Sequence, residues 1–146
     1  MPAPFAIAPA TGHVRFPDLA LELRPGMPQQ EFIAATAKLN RDNLGFNGGW
    51  QRYSIRQEIS DDRKLGIFFV FFNERLNKAS FAWAQKDQTW DTWSEEKEAA
   101  RLNEYRQELD AQLGAKRTFP WGKVDAILDN KSGGTDIWVE FFAPHV

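Results

Sequence analysis

The run from Leu65 to Phe72 constrains this chain most, because it is apolar on both faces of a strand: Phe69 and Phe71 alternate with Phe68, Val70 and Phe72. A strand of that kind belongs in the centre of a sheet. It is also the longest strongly apolar stretch, and at eight residues including a glycine it falls far short of the roughly 20 needed to span a bilayer. A soluble protein is therefore expected. The neighbouring segments supply the strands that such a centre requires. In Trp50 to Ile59, Tyr53, Ile55 and Ile59 share one face while Ser54, Arg56 and Glu58 share the other, a half-buried pattern broken only by Gln57. Beyond a turn at Asn73 to Asn77, Phe81 and Trp83 alternate with Ser80, Ala82 and Ala84, a third strand with a thin outer face.

Helices are expected on either side of this group. Pro28 suits a first helical turn, and Phe32, Ile33, Ala35, Thr36 and Leu39 recur at helical spacing, so a helix is expected from about Pro28 to Asn40. Arg41 to Gly49, with two asparagines and three glycines, reads as a loop. Thr92 three residues before Glu95 has the form of a capping box, and Ala99, Leu102, Tyr105, Leu109 and Leu113 form an apolar stripe ending at Gly114, so a second helix is expected over about Trp93 to Leu113. Val124 to Leu128 and Ile137 to Phe142 make a final hairpin, after the bulky turn at Phe119 to Gly122. The order lacks regular βαβ alternation, which implies an α+β fold: a mainly antiparallel sheet of about five to six strands with two helices on one face. That face should carry Tyr53, Ile55, Phe69, Phe71, Phe81 and Trp83. Residues 1–18, with prolines at 2, 4, 9 and 17, read as a loosely attached arm, and residues 19–146 as a single α+β domain.

Composition removes whole classes of chemistry. With no cysteine there are no disulfides, thiolate metal sites or thiol catalysis, and either redox compartment is compatible. A signal peptide is not expected, since no Lys or Arg precedes Ala8-Pro9-Ala10 and Pro2 and Pro4 interrupt the apolar stretch, so a cytoplasmic location is favoured, with the periplasm also open. His13 lies in the arm and His145 one residue from the end, poor places for a catalytic base. Asp61-Asp62 reads as a turn, and Asp129 to Gly134 lacks oxygen ligands at the third and fifth positions of a calcium loop. Gly48-Gly49 and Gly133-Gly134 are not phosphate loops, and no serine lies in a G-x-S-x-G context. No catalytic residue, metal site or cofactor is expected.

Six tryptophans and twelve phenylalanines are more than usual, and most read as core. Nucleic acid is not an expected partner: the formal charge is −2, and Trp90 and Trp93 sit among Asp91, Glu95 and Glu96, which would repel phosphates. No membrane contact is expected either. One segmental feature remains. Residues 87–113 hold eight acids against three bases, leaving +3 on the rest of the chain. That could be an ordinary solvated helix face, or an acidic docking edge formed by Asp87, Trp90, Asp91, Trp93, Glu95 and Glu96, with the tryptophans as anchors inside a charged rim.

Three motifs, Trp90-Asp-Thr-Trp93-Ser-Glu-Glu-Lys-Glu98, Phe119-Pro-Trp-Gly122 and Lys131-Ser-Gly-Gly134 before an apolar strand, resemble those of a group of small uncharacterised bacterial proteins over about Gly26 to Phe142. That group resembles the immunity partners of secreted interbacterial toxins. The resemblance implies a stand-alone domain without catalytic residues that binds a cognate toxin, although a charge of −2 departs from the strongly acidic profile of immunity proteins for nuclease toxins. Two other readings stay open. One is a small-molecule or enzymatic domain with a pocket between sheet and helices, lined by Trp121 and Trp138 with Arg52 or Arg56 as a polar contact. The other is a structural homo-oligomer, such as a homodimer joined through a sheet edge.

Overall fold

The computed structural model describes residues 3–85, 94–129 and 134–142. Their architecture is α+β and almost wholly antiparallel, with more strands than expected: a seven-stranded sheet faced on one side by a three-stranded sheet and two helices. In chain order the small sheet is β1 (Ala6–Ile7), β2 (Val14–Phe16) and β3 (Leu21–Leu23), followed by helix α1 (Gln29–Ala35). Then come β4 (Arg41–Asn47), β5 (Trp50–Glu58), β6 (Arg63–Phe72), β7 (Arg75–Gln85), helix α2 (Glu95–Leu113), β8 (Thr118–Phe119), β9 (Gly122–Leu128) and β10 (Thr135–Phe141). The large sheet runs β4-β5-β6-β7-β10-β9-β8, which places the apolar strand β6 in its interior. Among the described residues no helix is long and apolar enough to cross a membrane.

Alternation decides which face is packed. Tyr53, Ile55, Phe69, Phe71, Phe81 and Trp83 are all buried under the second layer, as expected. Phe32 of α1 meets Tyr53, Phe69 and Phe71 with ring centroids 5.2, 4.6 and 4.9 Å away. Phe5 and Phe16 close on Phe81 at 4.9 and 5.1 Å. Helix α2 lies over β9 and β10.

Several expectations need correction. The N-terminal residues are not a loose arm: Phe5, Ile7, Val14 and Phe16 are core residues. Long-range hydrogen bonds hold them. Gln112 of α2 accepts from the Ile7 amide (2.8 Å) and donates to the Phe5 carbonyl (3.1 Å), and the Trp121 indole donates to the Pro9 carbonyl (2.8 Å). Gly12 lies against that indole so closely that a Cβ would fall 2.4 Å from the ring. Helix α1 ends at Ala35 rather than Asn40, because the Thr36 hydroxyl donates to the Phe32 carbonyl while Arg41 donates to the Ile33 carbonyl. The stretch from Arg41, read as a loop, is the edge strand β4; a bulge between Asn43 and Gly45 interrupts its ladder with β5, and Gly48 and Gly49, both at positive φ, make the tight turn between them.

The second helix is capped by Ser94, whose hydroxyl accepts from the Lys97 amide at 3.1 Å. Glu95 is thus the first helical residue, too early to serve as the distal member of a capping box, and Thr92 lies outside the described residues. Its buried positions are Glu98, Tyr105 and Leu109. Glu98, missed by an apolar-stripe reading, accepts from Arg101 and from the Thr135 hydroxyl, both at 2.8 Å. The Tyr105 hydroxyl accepts from the Trp83 amide and donates to the Trp83 carbonyl, replacing the strand partner that β10 does not provide beyond Phe81. Burial pushes that phenol's pKa up, so it stays a donor at all ordinary pH.

Candidate functional site

Among the described residues one layer covers one face of the large sheet, and none covers the other. Pairing registers set its side chains in rows. Trp50, Phe72 and Arg75 form one row; Arg52, Val70, Lys78, Glu140 and Lys123 form the next. Ser54, Phe68, Ser80, Trp138 and Asp125 follow, then Arg56, Gly66 and Ala82 on β5, β6 and β7, with Asp136 opposite Ile127 on β10 and β9 just past the last β7–β10 pair. At the first end Trp50 and Phe72 meet, 4.5 Å apart and 37% and 39% exposed, and Phe68, two rows further along β6, is 36% exposed. Phe68 therefore does not belong to the core as its neighbours do, because no second layer of described residues reaches it. The adjacent hairpin leaves Leu44 and Phe46 exposed as well.

At the other end the floor is made of small residues. Two open depressions adjoin there, of about 240 and 390 Å³, sharing Arg56, Gly66 and Ala82. The smaller is lined also by Ser54, Phe68, Ser80 and Asp136, the larger by Lys64, Trp83 and Ala84. Gly66 is unusual in this setting. Its φ is not positive, and a Cβ there would meet nothing within 4 Å, so neither backbone geometry nor crowding demands glycine. Gly122 is the opposite case, since its Cβ would fall 2.2 Å from the Glu140 carbonyl oxygen. A glycine inside a strand costs about 0.5–1 kcal/mol relative to alanine, and commonly marks a close approach by a ligand or another chain.

The electrostatics of the second end centre on Asp136. Burial, then the nearby carboxylates of Asp129 and Glu98, raise its pKa above the usual carboxylate value, with Arg101 opposing them. Among the described residues no hydrogen bond reaches its carboxylate.

The sequence-derived edge lies elsewhere. Glu95 and Glu96 are exposed in the first turn of α2, in the helix layer, whereas Asp87, Trp90, Asp91 and Trp93 lie outside the described residues. The pocket expected between sheet and helices is not assembled from its named residues. Trp121 stacks on Phe119 at 5.0 Å beside the packed layer, while Trp138, Arg52 and Arg56 stand on the open face. Pairing register separates them, because Trp138 alternates with the buried Ile137 and Val139. Among the described residues no group of three or more His, Asp or Glu is placed to hold a metal ion. His13 pairs with Glu22 at 2.7 Å on the small sheet. The signals that pointed to the open face were present in the sequence: Gly66 within an apolar strand, and the small outer series Ser80, Ala82, Ala84. Set against protein-family models, curated proteins and solved structures, the chain matches none.

Proposed function

We propose that the chain is a non-enzymatic protein-binding domain that docks its partner on the aromatic end of the open sheet face, and that the partner is a secreted bacterial toxin which it neutralises. The observation that carries this reading is the Trp50–Phe72 pair, left over a third exposed and framed by Arg52, Arg75 and Lys78, with the exposed Phe68 two rows further along β6. Contiguous exposed apolar surface with a polar rim is characteristic of protein contacts, and aromatic and arginine side chains carry most of the binding energy in them. The toxin as partner rests on the resemblance of the Trp90–Glu98, Phe119–Gly122 and Lys131–Gly134 motifs to immunity proteins. The acidic edge of Asp87, Trp90, Asp91, Trp93, Glu95 and Glu96 is a second contact in this proposal. A homodimer through β4 is disfavoured by the bulge at Asn43/Gly45, which interrupts the ladder of that edge strand.

Affinity purification of the tagged protein from its native host tests the proposal. A partner retained by the wild type should be lost by Trp50→Ser/Phe72→Ser with unchanged thermal unfolding. Replacing Trp90, Asp91, Glu95 and Glu96 separates the second contact from the first. Equal recovery of the partner by both variants would remove the two surfaces together, and repeated recovery of the protein alone would count against a binding role.

A further inference from the structure

We infer that the depression above Gly66 is a binding site for a small zwitterion of the amino-acid class with an apolar side chain, its carboxylate held by Arg56 and its ammonium by Asp136. This goes beyond the docking of a protein and does not depend on it. The pairing register sets Arg56, Gly66 and Ala82 side by side on β5, β6 and β7, and Asp136, one residue before the first β10–β7 pair, lines the same depression as they do. The two backbones are three strand spacings apart, roughly 14 Å. The length of an arginine side chain reduces that gap to the span of a small molecule. Beside Arg56, β6 and β7 present only Gly66 and Ala82, and Ser54, Phe68 and Ser80 also line the depression.

Each feature selects a part of the ligand. A guanidinium presents a planar fork of donors, and a carboxylate matches it with two parallel hydrogen bonds. Asp136 accepts only, so its natural counterpart is a cation with several N–H groups, as an ammonium is. A simple anion would leave Asp136 facing it with like charge; a simple cation would do the same with Arg56. Ser54 and Ser80 line the same depression between the two charges and can donate or accept there. The adjoining larger depression presents Gly66, Ala82 and Ala84 on the open face, flanked by Glu58 and Lys64, and the ligand's side chain would lie over these small residues. Its volume of about 390 Å³ is at the small end for ligand sites, which fits a single amino acid and excludes a dinucleotide. The glycine then has a purpose that the fold does not supply, since a ring or branched chain laid on β6 needs the space a side chain would fill.

The experiment is calorimetric titration of the full chain with L-phenylalanine and L-leucine, followed by 3-phenylpropionate, which lacks the ammonium, and phenethylamine, which lacks the carboxylate. Saturable binding of at least one amino acid is expected, with each single-charge analogue at least about tenfold weaker. Arg56→Gln and Asp136→Asn should each weaken the amino acid about tenfold or more, and the loss should be smaller for the analogue that lacks the matching charge. Gly66→Leu should fold as the wild type does, because its side chain enters open space, and should abolish binding; Lys123→Ala, on the same face outside the depression, should leave it unchanged. Absence of binding for both amino acids at millimolar concentration would overturn the inference, as would undiminished binding in folded Gly66→Leu, or an analogue that binds as tightly as its parent. These measurements use the isolated chain, so they stand or fall separately from recovery of a protein partner.

Discussion

On the packed face of the seven-stranded sheet Phe69 and Phe71 have no exposed surface, whereas Phe68 and Phe72, next to them in sequence on the same strand, keep 36% and 39% of theirs. Side-chain type is identical, so hydrophobicity did not choose between them. Coverage did: α1, the small sheet and α2 all lie on one side, and β6 turns alternate residues toward or away from them. Apolar content on a strand therefore reports where it can sit in a sheet, while the second layer decides which residues become core and which remain available to a ligand or partner.

The comparison breaks if the open face is in truth a second core. Phe69→Ala should cost about 3–5 kcal/mol in denaturant unfolding, and Phe68→Ala no more than about 1 kcal/mol. Equal losses would mean that something covers both faces. A further test concerns the attachment of the small sheet. Gly12 has φ +78 and stands against the Trp121 ring, so Gly12→Ala should destabilise by about 3 kcal/mol, with tryptophan fluorescence shifting as the indole is displaced. Were the N-terminal residues a loose arm, the substitution would be silent. Tyr105→Phe removes the hydroxyl shared by the Trp83 amide and carbonyl and should cost about 1–3 kcal/mol, because two buried backbone groups lose their partner.

Two smaller effects sharpen the open side of the comparison. Asp136 has a raised pKa in the fold, so the native state binds its proton more tightly than the unfolded chain does. Stability should then fall as pH rises from the unfolded value, near 3.8, through the native one. Asp136→Asn should unfold like the wild type at pH values below that window and be the more stable of the two above it, measured as denaturant midpoints across pH. Gly66→Ala should raise stability by about 0.5 kcal/mol, the sign opposite to that at Gly12, since its Cβ meets open space at an ordinary strand φ. A loss there would mean that the floor of the depression is already occupied.

Elements whose own residues alternate or repeat were legible. The period-two patterns of β5, β6 and β7 and of the final β9–β10 hairpin depend only on which residues are apolar, and the stripe containing Tyr105 and Leu109 located α2 to within a few residues. Segments whose structure is supplied by distant partners were not. Strand β4 is polar and glycine-rich and becomes a strand only by pairing with β5, while the two- and three-residue strands of the small sheet are too short for any period and are held by Gln112 and Trp121 from more than a hundred residues away. Glu98 looked like one more solvated acid until Arg101 and Thr135 satisfied it in a buried place. Of the sequence-derived docking edge, Glu95 and Glu96 are exposed as expected, and its other four residues lie outside the described part. The charges around Gly66 show the same division. Sequence alone placed Arg56 on the outer side of its strand, because alternation is local, whereas Asp136 fell outside the strand expected from Ile137. Only the tertiary structure brought them to one depression, because strand order is set by packing between residues eighty positions apart, which no local pattern contains.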